Sequence, residues 1–276
     1  MIGAIIGDIV GSIYEFDYDF KSKDFELFGP KCNFTDDTVM TVAVADWLVS
    51  KQDRDLAGVL RSWYHRYPDR CYGARFLKWC ETPAMGPYFS YGNGSAMRVS
   101  APAWLANSVQ EAIDMAERSA MVTHNHANGI LGAKAVAHAI FLAINGISQD
   151  DIRFEIATKY YNLDQHVGEI REWYMFDETC EGTVPQAITC ALEATDFEDA
   201  IRNAVSIGGD SDTIAAIAGS IAEAGSGIPE EIANKALGYL PDDMLEVIDR
   251  FTAVAPSIAL ERISSVLGVP SPSPDQ

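Results

Sequence analysis

Apolar residues recur at three- and four-residue spacing along almost the whole chain, and this periodicity restricts the fold to packed helices. Residues 36–50 (DDTVMTVAVADWLVS), 54–66, 109–122, 127–145, 151–161, 185–195, 197–205, 213–224, 230–238, 242–253 and 258–266 each carry the pattern. Start signals agree with it: Thr195 or Asp196 precedes an acidic first turn, and Pro241 stands at the start of LPDDMLEVI. Alternating β-branched runs between turns are scarce, so the expected fold is all-α. Two segments, GILGAKAVAHAI and TIAAIAGSIAEA, crowd Ala and Gly at helical spacing. Small residues let helix backbones approach closely, so both helices are expected near the centre, and tight packing is enough to explain the small residues themselves.

A chain of 276 residues, 48% hydrophobic, can bury one extensive core. No internal repeat or linker divides it, so residues 1–268 are expected as a single domain and 269–276, within PSPSPDQ, as a frayed tail. Residues 67–100 stand apart, rich in Gly, Pro, Tyr and Phe with little periodicity. A long irregular stretch in a compact domain is functional or disordered, and this one is too aromatic for disorder.

Forty acidic residues against 20 basic ones give a formal charge of −20. That field repels nucleic acid and anionic membranes, so neither is expected as a partner, while it suits divalent cations. The five cysteines form no CxxC pair and no Cys/His cluster with zinc spacing, which reads as reduced thiols in a cytoplasm. The opening MIGAIIGDIVGS has no basic segment and already an Asp at position 8, so no secretory leader is expected. The apolar runs fall short of the roughly 20 residues of a membrane span. A cytoplasmic monomer is the expectation.

TDDT at 35–38 and DSDT at 210–213 each open a helix. For either alone, capping is the better explanation, since Thr and Asp are favoured N-caps and first-turn carboxylates complement the helix dipole. Together they offer two carboxylates and a hydroxyl each, more than a cap requires. Adjacent carboxylates repel unless a cation separates them. Oxygen ligands without His or Cys specify Mg²⁺, Mn²⁺ or Ca²⁺ rather than zinc or copper. The pair therefore reads as a two-metal hydrolase site, with ions about 3.5–4 Å apart.

Other motifs are weaker. Asp8, in GDIVGSIYEF, is most simply a buried hydrogen-bond partner; Glu15, beside Tyr14 and Phe16, is either a mobile base of raised pKa or plain surface. SYGNGSAMR at 90–98 supplies backbone N–H groups between glycines, as phosphate-binding loops do, and YGA at 72–74 lies between Arg70 and Arg75. His124 and His126 of THNH lack a third soft ligand, so hydrogen bonding is preferred over zinc binding.

In this order, GDIVGSIYE, TDDT, YGA, GNGSAMR, TH and IGGDSDT resemble the ADP-ribosylglycohydrolase family, which includes dinitrogenase reductase-activating glycohydrolase and the ADP-ribosyl-acceptor hydrolases. The resemblance spans about residues 1–225. It implies a compact all-α domain with two Mg²⁺ or Mn²⁺ ions held by Thr35, Asp36, Asp37, Asp210, Asp212 and Thr213. It further implies that Glu15 is a mobile catalytic glutamate capping the metals, with Asp36 and Asp212 also serving catalysis. Ser90, Tyr91, Gly92 and Asn93 would grip the diphosphate and distal ribose, Gly73 would lie on the phosphate side, and His124 would bond the ADP-ribose. The implied reaction removes ADP-ribose from an ADP-ribosylated protein by cleaving the glycosidic bond at the distal ribose. GSIYE and SYGNGSAMR favour a serine-linked substrate, whereas bacterial relatives favour arginine; residues 17–33, expected to gate the site, do not decide between them. Two other readings stay open. One is a different two-metal hydrolase acting on a phosphoester, although NAVSIGGDSDT follows a helical pattern instead of a parallel strand. The other is a non-catalytic ADP-ribose binder.

Overall fold

The computed structural model describes residues 1–17, 19–50 and 54–255. In chain order the helices are α1 (Ile2–Gly11), α2 (Asp36–Val49), α3 (Leu56–Arg66), α4 (Ala74–Cys80), α5 (Ser100–Leu105), α6 (Val109–Met121) and α7 (Ala127–Ile144). They continue with α8 (Gln149–Lys159), α9 (Val167–Trp173), α10 (Cys180–Leu192), α11 (Phe197–Ser206), α12 (Ser211–Ser226), α13 (Glu230–Leu237) and α14 (Asp242–Thr252). A short 3₁₀ turn, Asn93–Ser95, is the remaining helical element, and no strand forms among the described residues. The fold is all-α, as the periodicity requires. The helix expected at 258–266 and the tail at 269–276 lie outside the described residues.

The core is organised by a backbone-to-backbone contact. α1 repeats Gly every fourth residue, and one turn of helix places Gly3, Gly7 and Gly11 on one face. That face lies antiparallel on α12. A Cβ at Gly3 would stand 2.2 Å from the Gly219 carbonyl oxygen, one at Gly7 2.0 Å from that of Ala215, and one at Gly11 2.5 Å from the Asp212 Cα. Only glycine permits this approach. α12 is buried from Ser211 through Ala224, with α7, α10 and α11 around it and α1 in its groove. At the far end, the Glu223 carboxylate accepts from the Gly3 N–H at 2.9 Å and anchors the start of α1. Antiparallel packing brings the end of α1 and the start of α12 to the same end of the core. The start of α2 joins them there.

Both small-residue helices named from sequence are central, as expected. Ala127–Ile144 is long and apolar enough to cross a membrane by length and mean hydropathy, yet it packs against α5, α6, α10 and α12. Four helices escape the periodicity: α1, buried on all sides, and α4, α5 and α9, each seven residues or fewer. The region 67–100 is accordingly less irregular than expected, holding α4 and the 3₁₀ turn. α10 begins at Cys180, five residues before the expected start, and carries Pro185 inside it.

Candidate active site

Three chain segments deliver acids to one cavity of about 320 Å³. The first is the end of α1. Asp8 is fully buried and receives four donors: the Thr35 N–H at 2.9 Å, Thr35 Oγ1 at 2.7 Å, the Thr38 N–H at 3.0 Å and the Thr38 hydroxyl. Asp8 thus locks the start of α2 to α1. This is the buried hydrogen-bonding role its sequence context favours. Glu15 follows on the turn after α1 and lines the cavity.

The second segment is the start of α2. Thr35 is its N-cap, accepting from the Asp37 N–H at 3.3 Å. Asp36 and Asp37 face the cavity, and Asp37 Oδ1 is buried without a hydrogen-bond partner. The Thr35 hydroxyl gives its hydrogen to Asp8 and lies 3.3 Å from Asp212 Oδ2. The third segment is the start of α12. Gly208 and Gly209, at φ 74° and 76°, turn the chain out of α11, a left-handed bend that glycine adopts without strain. Asp210 then stands at the N-cap position but makes no cap hydrogen bond. Its Oδ2 instead accepts from Asn93 Nδ2 at 2.6 Å, and Asn93 is held in turn at 3.0 Å from Thr183 Oγ1. Thr213 Oγ1 donates to Asp37 Oδ2 at 3.1 Å, tying α12 to α2.

Oxygens of Glu15, Asp210 and Asp212 lie within 4.8 Å of one another. Burial, followed by the charges of Asp212 and Asp8, lifts Glu15 to about 8. Burial lifts Asp210 to about 6 against the hydrogen bonds from Asp212 and Asn93. Burial and neighbouring carboxylates hold Asp36, Asp37 and Asp212 well above the usual range, and burial raises Asp8 despite its four donors. The donor set fits hard divalent cations: all oxygen, mutually repelling, with the buried Asp37 Oδ1 unpaired.

The remaining wall comes from the 90–98 loop and its neighbours. The Asn93 N–H donates to the Glu178 carbonyl and the Cys180 N–H to the Tyr91 carbonyl, at 2.8 and 2.9 Å, fixing the loop to the start of α10. Ser90, Gly92, Asn93, Gly73 and His124 all line the cavity. Two expected residues sit differently. The Tyr91 ring lies exposed on the rim, 5.3 Å from the His126 ring, and the buried Thr35 is turned toward Asp8. Both histidines hydrogen bond: His126 Nδ1 caps α7 through the Asn128 N–H at 3.1 Å, and His124 Nδ1 meets Thr123 Oγ1 at 2.7 Å. Of the expected gating segment, residues 19–33 fold back on α11 and its surroundings. Lys21 reaches the Tyr174 and Ile207 carbonyls, and Arg202 donates to the Lys23 and Phe25 carbonyls at 2.8 and 2.9 Å. Sequence reasoning passed over Thr38, Thr183 and Arg98; the first and last lie inside quoted motifs, while nothing marks Thr183.

A family model described as ADP-ribosylglycohydrolase matches residues 1–260. The chain belongs to the ADP-ribosylglycohydrolase family. The ADP-ribosylhydrolase ARH3 of Mus musculus is 28% identical over 327 aligned residues, which cover 89% of this chain and 88% of that protein. The ADP-ribosylarginine hydrolase Tri1 of Pseudomonas putida is 25% identical over 85% of this chain and 72% of its own length. A solved structure titled ADP-ribosylglycohydrolase-related protein complex matches with a TM-score of 0.62 at 22% identity, covering 95% of this chain and 97% of its own. That match shows the fold. Membership of the ADP-ribosylglycohydrolase family, with relatives of this kind, supports an enzyme acting on ADP-ribose derivatives.

Proposed function

We propose that this chain hydrolyses the glycosidic bond joining the distal ribose of ADP-ribose to a modified protein side chain, linked through arginine or serine, and that it does so with two bound Mg²⁺ or Mn²⁺ ions. The observation that carries this reading is Asp210. It occupies a helix N-cap position and declines the cap, standing within a buried acid cluster where Asp37 Oδ1 also lacks a partner. A structural role alone leaves both features unexplained.

Asp36, Asp37, Asp210 and Asp212, with the Thr35 and Thr213 hydroxyls, are the groups to hold the ions. When bound, such ions orient sugar hydroxyls and water and offset charge during bond cleavage. Glu15 is the proton carrier: its carboxyl lines the cavity within reach of Asp210 and Asp212, beside the groups that would hold the ions. Asn93 and Thr213 orient Asp210 and Asp37 respectively. Ser90, Gly92 and Gly73 leave room for the rest of the ligand; a Cβ at Gly73 would meet nothing within 4 Å. An anomeric centre develops positive character as its bond breaks, which surrounding carboxylates stabilise. A cytoplasmic monomer is part of the same reading.

The test is incubation with peptides carrying ADP-ribose on arginine, serine or a carboxylate, scoring free ADP-ribose and free phosphate separately. Release of ADP-ribose from the arginine or serine peptide supports the proposal. Release of phosphate alone, or binding without turnover, moves the protein to one of the other readings.

A further inference from the structure

Arg98 has no part in the chemistry above, yet it is 1% exposed and contributes to the cavity wall. Its Nη2 donates to the Ser119 carbonyl at 2.8 Å and to Thr123 Oγ1 at 2.9 Å, and its Nε to Ser119 Oγ at 3.4 Å. All these partners are neutral. The other charges it senses are the Tyr88, Cys180 and Cys80 side chains, none of them carboxylates. Burial brings its pKa to about 10, which leaves it charged at neutral pH. A buried cation held only by neutral acceptors is unfavourable for folding alone.

Donor and acceptor counting links this cation to His124. A guanidinium has hydrogens to give and no lone pair to offer, so Thr123 Oγ1 accepts from it. The Thr123 hydroxyl then has one hydrogen left, and His124 Nδ1 lies 2.7 Å away. If the hydroxyl donates there, Nδ1 is the acceptor and the neutral ring carries its hydrogen on Nε2. In the opposite tautomer Nδ1–H would donate to the second lone pair of Oγ1, and the hydroxyl hydrogen would be left without an acceptor in a buried site. The ring is neutral: burial, then the Arg98 and Arg75 charges, holds its pKa well below the usual imidazole value. Nε2 points at the glycine turn, where a Cβ on Gly94 would come to 3.3 Å and one on Gly92 to 3.7 Å. Both positions are bare, so the atom faces open cavity.

We propose that Arg98 and Thr123 are positioning residues that hold His124 in its Nε2–H tautomer, so that the ring presents a hydrogen-bond donor to an acceptor oxygen of the ligand beside Gly92 and Gly94. The three donors run in one direction, from the guanidinium through the hydroxyl to the ring N–H. Aligned donors polarise one another, so the buried positive charge is expressed at Nε2. The wall opposite the acid cluster, which Arg75 also lines, is thereby suited to an anionic ligand. For its ligand, this inference rests on the ADP-ribose reading.

Long-range nitrogen–proton NMR correlations of the histidine rings in the full chain test it, with the His124 signal assigned through His124→Gln. The wild type is expected to show a single Nε2–H ring at His124, retained in Thr123→Ser and replaced by a tautomer mixture in Thr123→Val. In parallel, the Thr123→Val affinity for ADP-ribose is expected to fall about tenfold or more, as for loss of one oriented donor to a charged group, with Thr123→Ser near wild type. Mn²⁺ affinity should be unchanged in both. An Nδ1–H ring in the wild type overturns the proposal without recourse to any variant. So does a Thr123→Val protein that binds ADP-ribose as the wild type does, or one that loses Mn²⁺ as well, which would assign Thr123 to folding. A wild type that binds no ADP-ribose sinks the functional reading instead, and the tautomer then decides the positioning claim alone.

Discussion

Stripping divalent cations should make this protein progressively less stable as the pH rises, opposite to the behaviour of a protein held by ion-paired carboxylates. The acids of the cavity are raised, Asp210 to about 6 and Glu15 to about 8, both chiefly by burial. A carboxyl whose folded pKa exceeds its unfolded value favours the native state below the unfolded value, and that advantage is lost as pH climbs through the folded one. For Asp210, moving from 3.8 to about 6 amounts to roughly 3 kcal/mol lost by neutral pH. Glu15, partly open to solvent, extends the window to about pH 8 with a smaller share. A cation at a hundred times its Kd restores about 2.7 kcal/mol. For a chain of this size that is roughly 5 °C in Tm. The assay is thermal unfolding from about pH 4 to about pH 8 in excess chelator and in Mn²⁺, on the wild type and on Asp212→Asn. Removing one repelling carboxylate should leave the chelated variant more stable than the chelated wild type at the upper pH, while Mn²⁺ adds little to it. A chelated Tm that is flat or rising across the window would refute the reasoning, as would an Asn variant that gains as much from Mn²⁺ as the wild type.

Other consequences are equally direct. Glu15→Gln should reduce turnover about a hundredfold or more while sparing ADP-ribose binding; calorimetry showing lost binding would move Glu15 to ligand recognition. Asp8→Asn places an amide where the Thr35 and Thr38 donors converge. It should destabilise by about 2–3 kcal/mol in urea titrations and weaken Mn²⁺ binding, and an unchanged midpoint would argue against Asp8 as the lock on α2. Gly7→Ala puts a Cβ 2.0 Å from the Ala215 carbonyl oxygen. About 3 kcal/mol or more of stability should go with it, and a variant as stable as wild type would mean that α1 and α12 do not touch through backbone.

The helical class was readable because ten of the described helices and their expected segments share a face of apolar residues at helical spacing. α1 was not, since a helix buried all round has no polar face to set off an apolar one, and α4, α5 and α9 are too short to establish a period. The acid pairs stood out by their chemistry, yet each looked like a cap. Only the three-dimensional arrangement separates the two roles: Thr35 does cap α2, while Asp210 turns from α12 to Asn93. Thr183, which supports Asn93, is ninety residues away in the chain and has no local signature. Arg98 was visible in GNGSAMR only as a letter of a motif, because burial without a carboxylate partner is a property of the folded surroundings.

Whether cations occupy the acid cluster is read directly by anomalous diffraction from Mn²⁺-soaked crystals of the wild type and of Asp212→Ala. Two Mn²⁺ peaks between Asp36–Asp37 and Asp210–Asp212 in the wild type, lost in the variant, are the predicted result. Wild-type maps with no Mn²⁺ there, or with Mn²⁺ bound only elsewhere on the acidic surface, would contradict it.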